Sequence, residues 1–148
     1  MLKNQNYRFY IGIDTGVNTG VACWWKEKRQ LSSVQCMQIH RAMEYVKEAE
    51  KVNPGGVFVR IEDARLRKWI PRQKDQRTEA GLREGAGSVK RDASIWQDFL
   101  TDHKIPFELV APKDNKTKVD AAHFKKLTGF TGSTNNHGRD AAMLVFGL

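Results

Sequence analysis

Tyr7-Arg8-Phe9-Tyr10-Ile11-Gly12-Ile13-Asp14-Thr15-Gly16-Val17-Asn18-Thr19-Gly20 decides how the rest of the chain is read. Phe9, Ile11 and Ile13 alternate as one apolar face of a strand over about Arg8 to Asp14. Thr15 to Gly20 is a glycine-rich turn into a second strand, Val21-Ala22-Cys23-Trp24-Trp25. The first strand ends on a carboxylate. Ionised Asp and Glu are rarely buried unless paired or bound to metal, so packing explains Asp14 badly. Two further elements repeat the arrangement. Val57-Phe58-Val59-Arg60-Ile61 stops at Glu62, and His137 with Asp140 opens the last apolar helix, His137-Gly138-Arg139-Asp140-Ala141-Ala142-Met143-Leu144-Val145. Three elements ending this way imply a site.

Outward from these anchors, Glu27-Lys28-Arg29-Gln30 is a charged turn, and Leu31 to Met37 alternates weakly as a third strand. Ile39, Ala42, Met43, Val46 and Ala49 recur at helical spacing up to Lys51, where Asn53-Pro54-Gly55-Gly56 stops the helix. Residues 64 to 87 show no clean periodicity and read as a loop or loosely ordered segment. Ser88 is placed as the N-cap of a helix whose face is Val89, Ala93, Trp96 and Leu100, a candidate dimer surface, a cover for the sheet, or both through opposite sides of the helix. Phe107 to Val110 is strand five, Val119 to Leu127 a short helix stopped near Gly129, and Asn135 or Asn136 caps the last helix.

A β-β-β-α-β-α-β-α order predicts a mixed α/β fold over residues 1–148 as one domain. An antiparallel three-strand meander would lie beside parallel strands reached by helical crossovers, so that strands one, four and five are neighbours. Ligands of open α/β sheets gather at the carboxyl ends of the parallel strands. Asp14 and Glu62 both sit at such ends, on strands roughly 5 Å apart.

The 148 residues carry a net charge of +8, which favours a polyanionic partner, and no apolar run approaches the length that spans a bilayer. Met1 to Asn6 lacks the features of a signal peptide, so a cytoplasmic location and no membrane partner are expected. Cys23 and Cys36 flank the charged turn and are expected nearly opposite each other on paired strands, as thiols rather than a disulfide. Arg60 to Arg91 holds twice as many Lys and Arg as Asp and Glu. Within it Arg65, Arg67, Lys68, Arg72 and Lys74 interleave with Trp69, and Lys90 and Arg91 follow; such a run is often a solvated face, but basic groups with a stacking aromatic also suit a nucleic acid.

With its Ile11-Gly12-Ile13-Asp14-Thr15-Gly16 strand and turn, Thr19-Gly20, Ile61-Glu62, the lysines after strand five and His137-Gly138-Arg139-Asp140-Ala141-Ala142, the chain resembles the ribonuclease H-like superfamily. More specifically, it resembles the RuvC-type Holliday-junction resolvases over nearly its whole length. The resemblance implies a ribonuclease H-like five-stranded sheet and a divalent-metal-dependent endonuclease. It implies a homodimer that cuts branched DNA, the four-way junction, symmetrically. It assigns the metal and catalytic roles to Asp14, Glu62, His137 and Asp140, and leaves the family's catalytic lysine open between Lys116 and Lys118. Two Mg2+ or Mn2+ ions per site are implied. The basic segment after Glu62 is a departure from the family and bears on substrate preference.

Each assignment has a plainer competitor. Asp14-Thr15-Gly16 also suits the phosphate-binding hairpin of actin-like ATPases, which need a far longer chain, or a turn-initiating Asp. Glu62 and Asp63 can be a solvated strand end, with Asp63 capping the following loop. Asp140 in a first helical turn suits the helix dipole, and the two lysines can be solvent-exposed. Two other function classes therefore remain beside a junction endonuclease: a nuclease of the same superfamily acting on RNA-DNA hybrids or structured RNA, and a non-catalytic nucleic-acid binder.

Overall fold

Strand alternation divides the residues of the first strand between two helical layers. The computed structural model describes residues 6–66, 76–112 and 118–148. Its strands are β1 (Phe9–Asp14), β2 (Asn18–Trp25), β3 (Gln30–Gln38), β4 (Val57–Glu62) and β5 (Phe107–Val110), and they form one sheet in the order β3-β2-β1-β4-β5. β1, β2 and β3 pair antiparallel, whereas β4 pairs parallel with both β1 and β5. The expected meander and parallel neighbours are therefore present.

One face of the sheet presents Ile11, Ile13, Val57, Val59 and Ile61. α1 (Ile39–Val52) covers it with Ala42 and Val46, and α2 (Gln76–Asp102) covers it with Trp96 and Leu100. The other face presents Tyr10, Ala22, Trp24 and Phe58. α3 (Ala121–Thr128) brings Phe124 to it, and α4 (Asn136–Met143) with the tail after it brings Ala141, Ala142 and Val145. Truncating a fully buried aromatic such as Trp96 to alanine costs about 3–5 kcal/mol, so each layer is held by a few large side chains.

Several boundaries differ from the sequence expectation. β2 begins at Asn18, because Thr19 and Gly20 already pair with β3 and β1, and the turn shrinks accordingly. Cys23 lies opposite Ser33, and Cys36 opposite Gly20; the two free thiols are three register steps apart rather than facing each other. The larger correction concerns residues 64–87. Ala64–Leu66 form a 3-10 turn, and from Gln76 onward the chain is already helical, so Ser88 lies inside α2 and is not its cap. Arg77, Glu79, Ala80, Leu82, Arg83, Glu84 and Ala86 are good helix formers. Glycines among them cost about 1 kcal/mol each, a weak brake on a helix whose later turns are fixed by Ala93, Trp96 and Leu100. Those three are buried, so this side of the helix covers the sheet, which leaves only its opposite side for a dimer contact. α3 starts two residues after the expected Val119, capped by the Asp120 carboxylate, and ends at Gly129 in the left-handed region, φ 73°. Among the described residues, no helix is long and apolar enough to cross a membrane.

Candidate active site

The parallel register of β1 and β4 pairs Ile13 with Ile61, and the next step sets Asp14 beside Glu62. Alternation gives both residues the α4 side of the sheet, because Tyr10 and Phe58 pack there. α4 lies on that same face, and two glycines decide how closely. A Cβ on Gly12 would stand 2.0 Å from the backbone oxygen of Ala141, and one on Gly20 would stand 1.9 Å from that of His137. Only hydrogen fits at either place. α4 therefore rests directly on β2 at His137 and on β1 at Ala141, and it carries His137 and Asp140 towards the end of β1.

Asn135 starts the helix by accepting the Gly138 N–H at 2.9 Å, an N-cap that the sequence had left open between Asn135 and Asn136. Arg139 is buried on the opposite side. Its guanidinium donates to the Val119 carbonyl, to the carbonyl and hydroxyl of Thr134, and to the Asn136 side chain. Arg60 donates to the Leu144 carbonyl at the far end of α4, where a cation also suits the helix dipole, and pairs with Glu108 at 3.2 Å. Sequence reasoning missed both arginines as positioning residues. The only signal was an arginine inside an otherwise apolar pattern in each element.

Asp14, His137 and Asp140 are brought together by this scaffold, and the register sets Glu62 at the end of the strand beside Asp14. His137 Nδ1 lies 3.0 Å from Asp14 Oδ2, and Lys118 Nζ lies 3.7 Å from Asp140 Oδ2. Burial pushes the Asp14 carboxyl above the ordinary carboxylate value. The neighbouring Asp140 charge pushes the same way, against the His137 hydrogen bond and the Lys118 charge. Asp14 is thus a carboxylate whose ionisation the protein resists, placed at the mouth of a site. Perturbation by burial together with a like charge is a frequent mark of functional carboxylates.

Among the described residues, no three His, Cys, Asp or Glu side chains converge tightly enough to hold a metal ion as they stand. One oxygen of Asp14 faces His137 and one of Asp140 faces Lys118. Asp14, Asp140 and, on the neighbouring strand, Glu62 carry carboxylate oxygens, the donor type a hard divalent cation takes.

The expected nucleic-acid residues divide. Arg67, Lys68, Trp69, Arg72 and Lys74, and the lysine candidate Lys116, lie outside the described residues. Lys118 is exposed beside Asp140, and Lys90 and Arg91 are exposed on α2, Arg91 within 3.8 Å of Asp92. Arg65 is engaged elsewhere. Its guanidinium grips both oxygens of the buried Asp63 at 2.8–3.0 Å and also donates to Gln97 on α2 at 2.7 Å. Asp63 caps the 3-10 turn through the Arg65 N–H, in keeping with the capping alternative raised for it.

A solved structure of RuvC from T. thermophilus in complex with Holliday junction substrate is similar to this chain, with a TM-score of 0.54 at 15% identity. The match covers 92% of this chain and 89% of that one. At that identity the likeness establishes the fold: the chain is an α/β protein with a ribonuclease H-like sheet of five strands. No protein-family model and no curated protein matches the chain.

Proposed function

We propose that this protein is a metal-dependent endonuclease that resolves four-way DNA junctions by hydrolysing paired phosphodiester bonds. The observation that carries the reading is the meeting of Asp14 with His137 and Asp140 at the carboxyl end of β1, with Glu62 ending the parallel neighbour β4. The fold likeness to a protein solved with a Holliday junction, and the net charge of +8, support the choice of substrate.

Asp14, Glu62 and Asp140, with His137, would hold two Mg2+ or Mn2+ ions, which when bound supply an activated water and charge neutralisation at phosphorus. The chain's own residues do the remainder. Water oxygen bonds to phosphorus as the bond to the 3′ oxygen breaks, leaving a 3′ hydroxyl and a 5′ phosphate. Lys118, an exposed ammonium next to Asp140, is placed to meet negative charge developing on the phosphate. His137, half-exposed and hydrogen-bonded to Asp14 through Nδ1, would offer the metal the tautomer whose lone pair is on its other ring nitrogen. Fixing that tautomer is the role of the Asp14 contact.

Incubating the purified protein with Mg2+ or Mn2+ and labelled four-way junction, linear duplex and RNA-DNA hybrid tests the reading. The expected result is paired nicks with 5′ phosphate ends on the junction, abolished by chelation and by Asp140→Asn. Preferential cutting of the hybrid would move the substrate to the ribonuclease class. Junction binding without cleavage under either metal would reduce the protein to a binder.

A further inference from the structure

The end of the sheet away from the candidate site carries a second concentration of cations, and they are not randomly disposed. Lys26, Lys28 and Arg29 occupy the turn between β2 and β3, and Arg8 precedes β1 beside it, with Glu27 as the acid of that turn. Every one of these cations lies against an aromatic ring. Lys28 Nζ stands 4.2 Å from the centre of the Trp25 ring and Lys26 Nζ 5.6 Å from that of Tyr10. The Arg29 guanidinium is 5.9 Å from Trp24, and that of Arg8 is 6.0 Å from Phe9. The rings come from paired positions, Phe9 opposite Trp25 on one face of the sheet and Tyr10 opposite Trp24 on the other, so the cations flank both sides of this end of the sheet. Cation–ring contacts of this kind hold otherwise flexible side chains in place, reducing what a ligand must order.

The backbone adds an independent observation. Arg29 adopts φ 51°, the left-handed region, where a residue with a Cβ is held at a cost of order 1 kcal/mol and glycine is at ease. The turn therefore carries an arginine at a place where glycine would suit the backbone better. Along β1 this end is about 17 Å from Asp14, taking roughly 3.3 Å per residue, well beyond the ~8 Å screening length at physiological salt. Its cations cannot serve the chemistry at Asp14 by field alone.

We infer that the β2–β3 turn, with Arg8, is a second binding surface for the phosphate backbone of duplex nucleic acid, separate from the candidate site. The choice of nucleic acid as the polyanion rests on the proposed function; the surface itself rests on the four cation–ring contacts and the arginine at positive φ. A duplex presents one charge per ~1.7 Å, so a 17 Å separation corresponds to about five base pairs, within reach of one continuous duplex arm.

The test compares two variants that remove equal charge from the full-length protein. Lys28→Gln/Arg29→Gly alters the turn, and Arg41→Gln/Lys47→Gln removes two exposed cations from α1 as the control. Each is titrated against a 30-base-pair duplex over a range of salt without divalent metal, and against vesicles containing phosphatidylserine. The turn variant is expected to lose about tenfold or more in duplex affinity and to flatten the log–log salt dependence by roughly two, one unit per phosphate contact. The control is expected to leave the slope unchanged, and single Arg29→Gly to raise thermal stability while lowering affinity. Equal losses in both double variants would reduce the effect to net charge and overturn the inference. Loss of vesicle binding with an unchanged duplex slope would assign the surface to an anionic membrane and overturn it as well. Because no cleavage is read, failure of the nuclease reading would leave this result standing, and the reverse.

Discussion

At the residue scale, two aspartates one strand apart are treated in opposite ways by their surroundings. Asp14 is pushed up by burial and by Asp140, so the folded chain holds its proton more tightly than the unfolded chain does. Stability from this group is therefore fullest below the ordinary value of 3.8 and declines as pH rises towards the raised folded value, beyond which the penalty is constant. Asp14→Asn keeps an oxygen that can accept from His137 and cannot ionise. It is expected to melt no lower than the wild type at pH 7, to lose that advantage below pH 3.8, and to cut at least about a hundredfold more slowly with junction affinity kept. Calorimetry across pH, with single-turnover cleavage, measures all three. Asp63 has the reverse sign. Burial alone would raise its carboxyl, but the side-chain and backbone hydrogen bonds from Arg65 and its charge outweigh that and hold it low. Its contribution is present above pH 3.8 and vanishes as pH falls through the depressed folded value. Asp63→Asn is expected to cost about 1.5–3 kcal/mol at pH 7 and nothing once the wild-type carboxyl is protonated, read from denaturant midpoints at the two pH values.

At the element scale, the placement of α4 is what turns a list of acidic residues into a site. Gly20→Ala drives a methyl group into the His137 carbonyl, a backbone atom that cannot rotate away. The expected loss is about 1–3 kcal/mol or more, with cleavage falling further than the folded fraction because α4 carries His137 and Asp140. Gly87→Ala, in open space on α2, is the contrast and should stabilise by roughly 0.5–1 kcal/mol; denaturant titrations of both variants with cleavage assays make the comparison. The strands and the acidic positions at their ends were legible because alternation in Phe9, Ile11 and Ile13, and again in Val57, Val59 and Ile61, has one meaning in a half-buried sheet. α2 was not legible before Ser88, because its early turns lack the apolar stripe by which a helix announces itself and hold glycines that read as breaks. The glycines at 12 and 20 were visible only as motif letters; that each is a contact point for a helix more than a hundred residues later is a tertiary fact. Arg65 was misleading for a similar reason: nothing in a basic run marks which cation is committed to a buried carboxylate.

At the scale of the whole molecule, the decisive quantity is symmetry. One candidate site per chain can make one nick, so paired nicks across a four-way junction require two copies related by a two-fold axis. The face of α2 once considered for this contact is occupied by the sheet, which leaves the outer face. Ile95 is 43% exposed there, with Arg91 one turn before it and Asp98 one turn after. A two-fold axis through Ile95 would set Arg91 of each copy against Asp98 of the other, so apolar contact and charge favour the same antiparallel pairing. The protein is therefore expected to sediment as a dimer and to cut both strands of a junction in one encounter. Ile95→Glu places two like charges at the axis, and is expected to give a monomer that binds junctions less tightly and nicks one strand only, with its fold intact by circular dichroism. Sedimentation velocity on both proteins, with a junction labelled on opposed strands, reads each outcome. A wild-type monomer that prefers RNA-DNA hybrids would sink the resolvase reading and leave a ribonuclease of the same fold.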